Sequence, residues 1–308
     1  MSALGMSQQG APSAVPMLEP ETRRSRRNRQ HRSGLGLNKR PGFAVYLILG
    51  ISVLIFAYPL WWSFVVASGT NATRGQTLQF IPGPNFLDNA RQVLDAIPFW
   101  NALWNSVVVS SVVTVSVVTF STLAGYAFAK LKFKGRDGLL VFVIATMAIP
   151  TQLGIIPLFM VMRELGWIGD IKAVIVPLLV TAFGVFLMRQ YLAGVIPDEL
   201  IEAARVDGCN SIRTFWNVAV PAARPAMAIL ALFTFMLAWT DFLWPMVVLN
   251  NPKNVTLQVA LANLQSGYYI DFSIVLAGAV MATIPVLILY IAAGRQLISG
   301  IMAGAVKG

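Results

Sequence analysis

The chain has 308 residues, is 56% hydrophobic and 12% charged, and carries a net charge of +10. Soluble domains carry roughly a quarter of their residues as charged side chains, so the ordinary soluble classes are excluded. One Cys and one His exclude a disulfide framework, argue against structural zinc and remove most nucleophile–base pairs. No G-x-x-x-x-G-K-[ST] run occurs, so the chain has no P-loop for ATP phosphates.

Residues 1–42 collect Arg23, Arg24, Arg26, Arg27, Arg29, Arg32, Lys39 and Arg40 among Pro, Ser, Gln and Gly. Such a segment cannot bury a core and is expected to be a disordered basic arm. Next to an apolar run it reads as an inside-retention signal against anionic lipid rather than a nucleic-acid arm. Six apolar segments follow, at about Phe43–Val66, Leu103–Ala129, Leu139–Met162, Ile171–Leu192, Ala226–Leu249 and Ser273–Ala293. Each is long enough to span a bilayer core of about 30 Å. The expected fold is all-α: a polytopic membrane protein with six transmembrane helices over 43–297 and a Gly-rich tail at 298–308. With the amino terminus inside, 18 Lys and Arg fall inside and 5 outside, which makes both termini cytoplasmic. Pro59, Pro150, Pro157, Pro177, Pro245 and Pro285 lie in or near the spans and each removes a backbone hydrogen bond.

The outside connections differ. The first contains an amphipathic stretch, Leu87–Ile97, the second is a tight turn at Glu164–Asp170, and the third runs Asn250–Phe272. The inside loop at 196–222 is the most strongly marked. Pro197 suits a first helical position, Asp198 and Glu199 complement the positive helix end, and Gly208 supplies a left-handed stop. Ala204 and Gly208, four apart, give a face on which a partner backbone can approach. Ser211 is expected to cap a second helix, Ile212–Val220, ended by Pro221. Within the fifth span, Asp241 is an intramembrane carboxylate and so a functional candidate, about 12 Å along the axis from the outer end. Trp239 and Trp244 flank it with faces suited to stacking on sugar rings. Thr151 and Gln152, next to Pro150, and Asn105 at the opening of the second span are further candidates along a path.

Glu202-Ala203-Ala204 followed by Gly208 and, nine residues on, Val218-Ala219-Val220-Pro221 resembles the EAA loop of bacterial binding-protein-dependent ABC importer permeases. Val218 and Val220 replace the Ile and Leu of that pattern. Asn105-Ser106, the block Trp239–Pro245 and the tail Gly300–Gly308 look similar to the carbohydrate branch, related to the second membrane subunit of the maltose importer. The resemblance implies a type I importer permease in the bacterial inner membrane that moves a sugar, an oligosaccharide by preference. Its implied partners are a homologous second permease, two copies of a cytoplasmic ATPase and an extracytoplasmic solute-binding protein. It implies no cofactor in this chain and no enzymatic activity, with ATP and Mg bound by the ATPase. It assigns Glu202, Ala203, Ala204, Asp207, Gly208 and Pro221 to ATPase coupling, and Leu264, Gln265, Ser266, Gly267 and Tyr268 to binding-protein contact. Glycerol-3-phosphate or polyamine import remains an alternative. A stand-alone secondary transporter predicts inverted repeats and several buried charges, and the sequence displays neither.

Overall fold

The computed structural model describes residues 42–70, 80–265 and 270–305, with side chains described as far as residue 291. The basic arm, the loop tip Ser266, Gly267 and Tyr268, and the end of the tail lie outside the described residues. The chain divides into two compact units, Met1–Ala57 and Tyr58–Gly308, and the packing below is internal to the second.

The described residues are helical, with no strand among them. Helix α1 (Phe43–Ala67) is apolar throughout, and its 25 residues reach about 37 Å at ~1.5 Å per residue, enough to cross. The amphipathic stretch between the first two apolar segments forms α2 (Phe86–Ala96), as expected. It buries Val93 and Asn89, whose amide donates to the carbonyls of Ala67 and Gly69 at 2.8 and 2.9 Å. Helix α3 (Phe99–Lys130) is the long second span.

The third apolar segment departs from expectation. Instead of one rod it gives α4 (Arg136–Thr146), a 3-10 turn (Thr151–Gly154) and α5 (Ile155–Glu164), bent by 88°. Pro150 stands at the bend, where the residue before a proline is pushed out of the helical region. The fourth segment is also broken: α6 (Lys172–Ile175) and a 3-10 turn (Val176–Leu178, holding Pro177) precede α7 (Ala182–Val195). Among the described residues, five helical stretches are long and apolar enough to cross a membrane, or six if the bent pair is one span.

The loop at 196–222 gives α8 (Asp198–Val206) and a one-turn helix α9 (Ser211–Thr214), then a π turn (Phe215–Ala219) that runs straight into α10 (Val220–Thr240). Pro221 therefore does not end the helix, as the sequence suggested, but sits in the first turn of α10. There its missing N–H costs little, and the widened turn before it takes up the strain. The cap is Asn210 rather than Ser211: its side chain accepts from the Arg213 N–H at 2.8 Å. After a break at Asp241 and Phe242 come α11 (Leu243–Val248), α12 (Leu257–Asn263) and α13 (Phe272–Ala305). The last helix continues to Ala305, through most of the segment expected to be a separate tail.

Two apolar clusters hold this unit together. One joins Val113 and Tyr126 of α3, Met188 and Leu192 of α7, Ile201 of α8, Phe215 and Leu230. The other joins Val93 of α2, Trp239 of α10, Leu257 and Ala260 of α12 and Ala277 of α13. Without a hydrophobic driving force inside lipid, helices associate where small residues let them approach. A Cβ on Gly125 of α3 would lie 2.7 Å from Met188 Cβ and 2.8 Å from the Arg189 nitrogen of α7, so only glycine fits that crossing.

Candidate functional site: a coupling face and a cavity at three helix breaks

Helix α8 is a well-closed element. Its C-terminal end forms a paired cap: the Cys209 N–H reaches Ala204 O at 2.9 Å and the Gly208 N–H reaches Arg205 O at 3.0 Å, with Gly208 at φ 78°. This is the left-handed stop expected of Gly208. Nothing lies within 4 Å of a Cβ placed there, so the demand on Gly208 is conformational and not steric.

Ile201 and Ala204 point inward to the core, whereas Glu202, Ala203 and Asp207 are exposed and Val206 is 87% exposed. The close-approach face therefore differs from the expected one: Ala204 is covered by its own chain, and Ala203 offers the small exposed side chain. The outward face presents the Glu202 carboxylate beside the apolar Ala203 and Val206, with Glu199 and Asp207 exposed on either side of it.

At the other end of α8, the Lys130 ammonium meets the Asp198 carboxylate at 2.7 Å. Donation from Lys130 and then its charge hold the Asp198 carboxyl below the usual carboxylate range. On the far side, the Tyr126 and Phe215 rings pack with centroids 5.5 Å apart, tying the π turn to α3.

The second feature is a cavity of about 400 Å³. Thr151, Thr181, Thr234, Thr240 and Asp241 line it with polar groups, and Phe183 and Phe233 contribute rings whose centroids are 5.4 Å apart. Three of these polar residues come from helix breaks: Thr151 from the bend of the third span, Thr181 from the gap before α7, and Asp241 from the gap before α11. Non-helical backbone at membrane depth is tolerated only where it is buried in protein or lines a polar cavity. The convergence of three breaks on one cavity follows that rule. Thr181 caps α7, accepting from the Gly184 N–H at 3.2 Å. The Asp241 carboxylate faces the backbone N–H groups of Leu243 and Trp244 at the start of α11.

The remaining sequence candidates fall elsewhere. Trp239 is 2% exposed and stacks on Phe235 at 5.7 Å. Trp244 is buried and donates from Nε1 to Ala173 O at 3.0 Å. Neither ring lines the cavity, so the stacking faces expected of them are occupied by their own chain. Asn105 donates to Val255 O at 3.0 Å, while Ser106 Oγ accepts from the Leu257 N–H at 2.8 Å. This pair straps the base of the loop at 250–272 and does not line the cavity. Gln152 is exposed beside Thr151, and Leu264 and Gln265 follow α12 directly. Sequence reasoning missed Phe183, Phe233, Thr181 and Thr234. The available signal was Thr181 three residues before Gly184, a helix-start pattern inside an apolar run.

The chain thus combines long apolar helices, a capped short helix between two of them and broken helices around one cavity, features that fit a transport permease. Comparison with known proteins agrees: residues 118–296 match the family described as binding-protein-dependent transport system inner membrane component. The chain is 36% identical over 269 residues to the arabinooligosaccharides transport system permease protein AraQ of Halalkalibacterium halodurans, covering 85% of this chain and 96% of that protein. It is 30% identical to the lactose transport system permease protein LacG of Rhizobium radiobacter, covering 87% and 97%. It is 28% identical to the sn-glycerol-3-phosphate transport system permease protein UgpE of Yersinia enterocolitica, covering 86% and 98%. Among solved structures it resembles a chain of a bacterial ABC transporter that imports the acidic polysaccharide alginate, at 27% identity and TM-score 0.70, covering 90% of this chain and 99% of that one. The chain belongs to the binding-protein-dependent transport system inner membrane component family, the permease subunits of ABC importers.

Proposed function

We propose that this chain is the permease subunit of a sugar importer, taking an oligosaccharide delivered by an extracytoplasmic binding protein. It pairs with a homologous permease, and two copies of a cytoplasmic ATPase supply the energy and bind ATP and Mg. Both termini lie in the cytoplasm, six spans cross the inner membrane, and the exposed face of α8, centred on Glu202 and Ala203, docks on the ATPase. The observation that carries the reading is the convergence of three helix breaks on one cavity. Its threonine hydroxyls, paired phenylalanine rings and single carboxylate match the mixed polar and apolar faces of a neutral sugar. Relatives named for arabinooligosaccharide and lactose transport support the same class.

The relative named for glycerol-3-phosphate gives the competing reading. Among the described residues the cavity lining includes no Lys or Arg, a poor match for a phosphate monoester, which arginine forks or lysines bind best. The test is reconstitution of the chain with its partners in proteoliposomes. ATP hydrolysis is then measured with binding protein loaded with neutral oligosaccharides, glycerol-3-phosphate or spermidine. Stimulation by an oligosaccharide and by neither of the others is expected. Stimulation by glycerol-3-phosphate alone overturns the sugar assignment.

A further inference from the structure

We propose that Lys130 is a positioning residue for coupling: its ion pair with Asp198 is the strut that passes movement of α8 into α3. This rests on the reading of α8 as the ATPase-facing helix. Three observations carry it. The Lys130 side chain is only 6% accessible, yet its ammonium is aimed at an Asp198 carboxylate that is 81% exposed, at 2.7 Å and 68 residues further along the chain. A lysine at a helix end ordinarily extends into solvent; this one is folded in against its own chain.

Both charges also sit where their helices favour them. Lys130 is the last residue of α3, where the carbonyl ends carry partial negative charge, and Asp198 is the first of α8, where free N–H groups carry partial positive charge. The pair thus closes the junction between two stiff rods, end to end. Finally, α3 is one unbroken helix of 32 residues, and Val113 of that helix lines the cavity, about 26 Å from Lys130 at ~1.5 Å per residue. One rod therefore carries the strut at its inner end and cavity wall further along. α8 is also held by the burial of Ile201 and Ala204 and of Ile196 just before it, and apolar burial is non-directional. It keeps α8 in place but permits sliding, whereas the ion pair sets its register against α3.

The experiment uses the complete importer in proteoliposomes and reads substrate transported per ATP hydrolysed. Lys130→Ala and Asp198→Asn are each expected to lower that ratio about fivefold, the low end of site-to-site coupling, with ATP hydrolysis retained. Lys130→Arg keeps the ratio near wild type. The charge-reversed double variant, Lys130→Asp with Asp198→Lys, exceeds either single variant, although its charges oppose the helix ends. Asp198→Asn alters only an exposed side chain, so it remains informative if Lys130→Ala fails to insert. A wild-type ratio in Asp198→Asn overturns the strut, and so does a double variant no better than the singles. Glu202→Ala is measured alongside: a wild-type ratio there removes the ATPase-facing reading of α8 and the strut with it, whereas a wild-type ratio in Asp198→Asn alone removes only the strut.

Discussion

Glu202 projects from α8 with its neighbours Ala203 and Val206 also in solvent, so its carboxylate is free to meet a cationic partner. Glu202→Ala is expected to abolish ATP-driven uptake while the protein still inserts and assembles, as read by co-purification of the partner subunits. Gly208→Val acts through the backbone instead. At φ 78° a Cβ-bearing residue costs roughly 1–2 kcal/mol, which loosens the cap of α8 and uncouples transport. Asp198 gives a pH expectation whose sign is fixed by its depressed carboxyl. A carboxyl lowered in the folded state contributes above its ordinary value of about 3.9 and is lost only as pH falls through the lower folded value. The carboxyl-carbon NMR shift of Asp198 should therefore show a group more than half ionised at about pH 4, where a free aspartate is about half protonated. In the cavity, Phe233→Ala should raise the KM for uptake about three- to tenfold, in line with ~0.5–1.5 kcal/mol for one aromatic contact. Trp239→Phe should leave KM unchanged, because the indole is buried on Phe235.

At the scale of elements, the crossing of α3 on α7 is the most sensitive point. Gly125→Leu forces a side chain where even a Cβ lies 2.7 Å from Met188 Cβ. It should destabilise the detergent-solubilised protein by about 1–3 kcal/mol, read as a lowered thermal unfolding midpoint. The elements also show how far the sequence could be read. The spans, the amphipathic α2 and the Gly208 stop were legible because length, periodicity and a left-handed glycine are local signals. The bend after Thr146 and the passage of a helix through Pro221 were not. A proline marks lost hydrogen bonding but does not say whether the helix stops or widens into a π turn, and at Pro150 and Pro221 it did one and then the other. The tryptophans misled for a related reason. Residue type suggested a sugar platform, but the helix faces turn Trp239 and Trp244 into the core and set Phe183 and Phe233 on the cavity. Which face a side chain occupies next to a helix break depends on where the break falls, and no periodicity runs across it.

For the whole molecule, we infer that the broken spans and the capped loop at 196–222 belong to one machine in which α3 connects the two. The bias of 18 basic residues to one side against 5 on the other sets the orientation we infer. A Val206→Cys probe in a Cys209→Ser background should react with a membrane-impermeant maleimide only when the cytoplasmic face is open. The most direct test of the account is uptake of labelled oligosaccharide into proteoliposomes holding the complete importer, with loaded binding protein outside and ATP inside. The account predicts ATP-dependent accumulation of sugar that Glu202→Ala eliminates. Absence of ATP-dependent uptake for every oligosaccharide tried, or full uptake by Glu202→Ala, would contradict it.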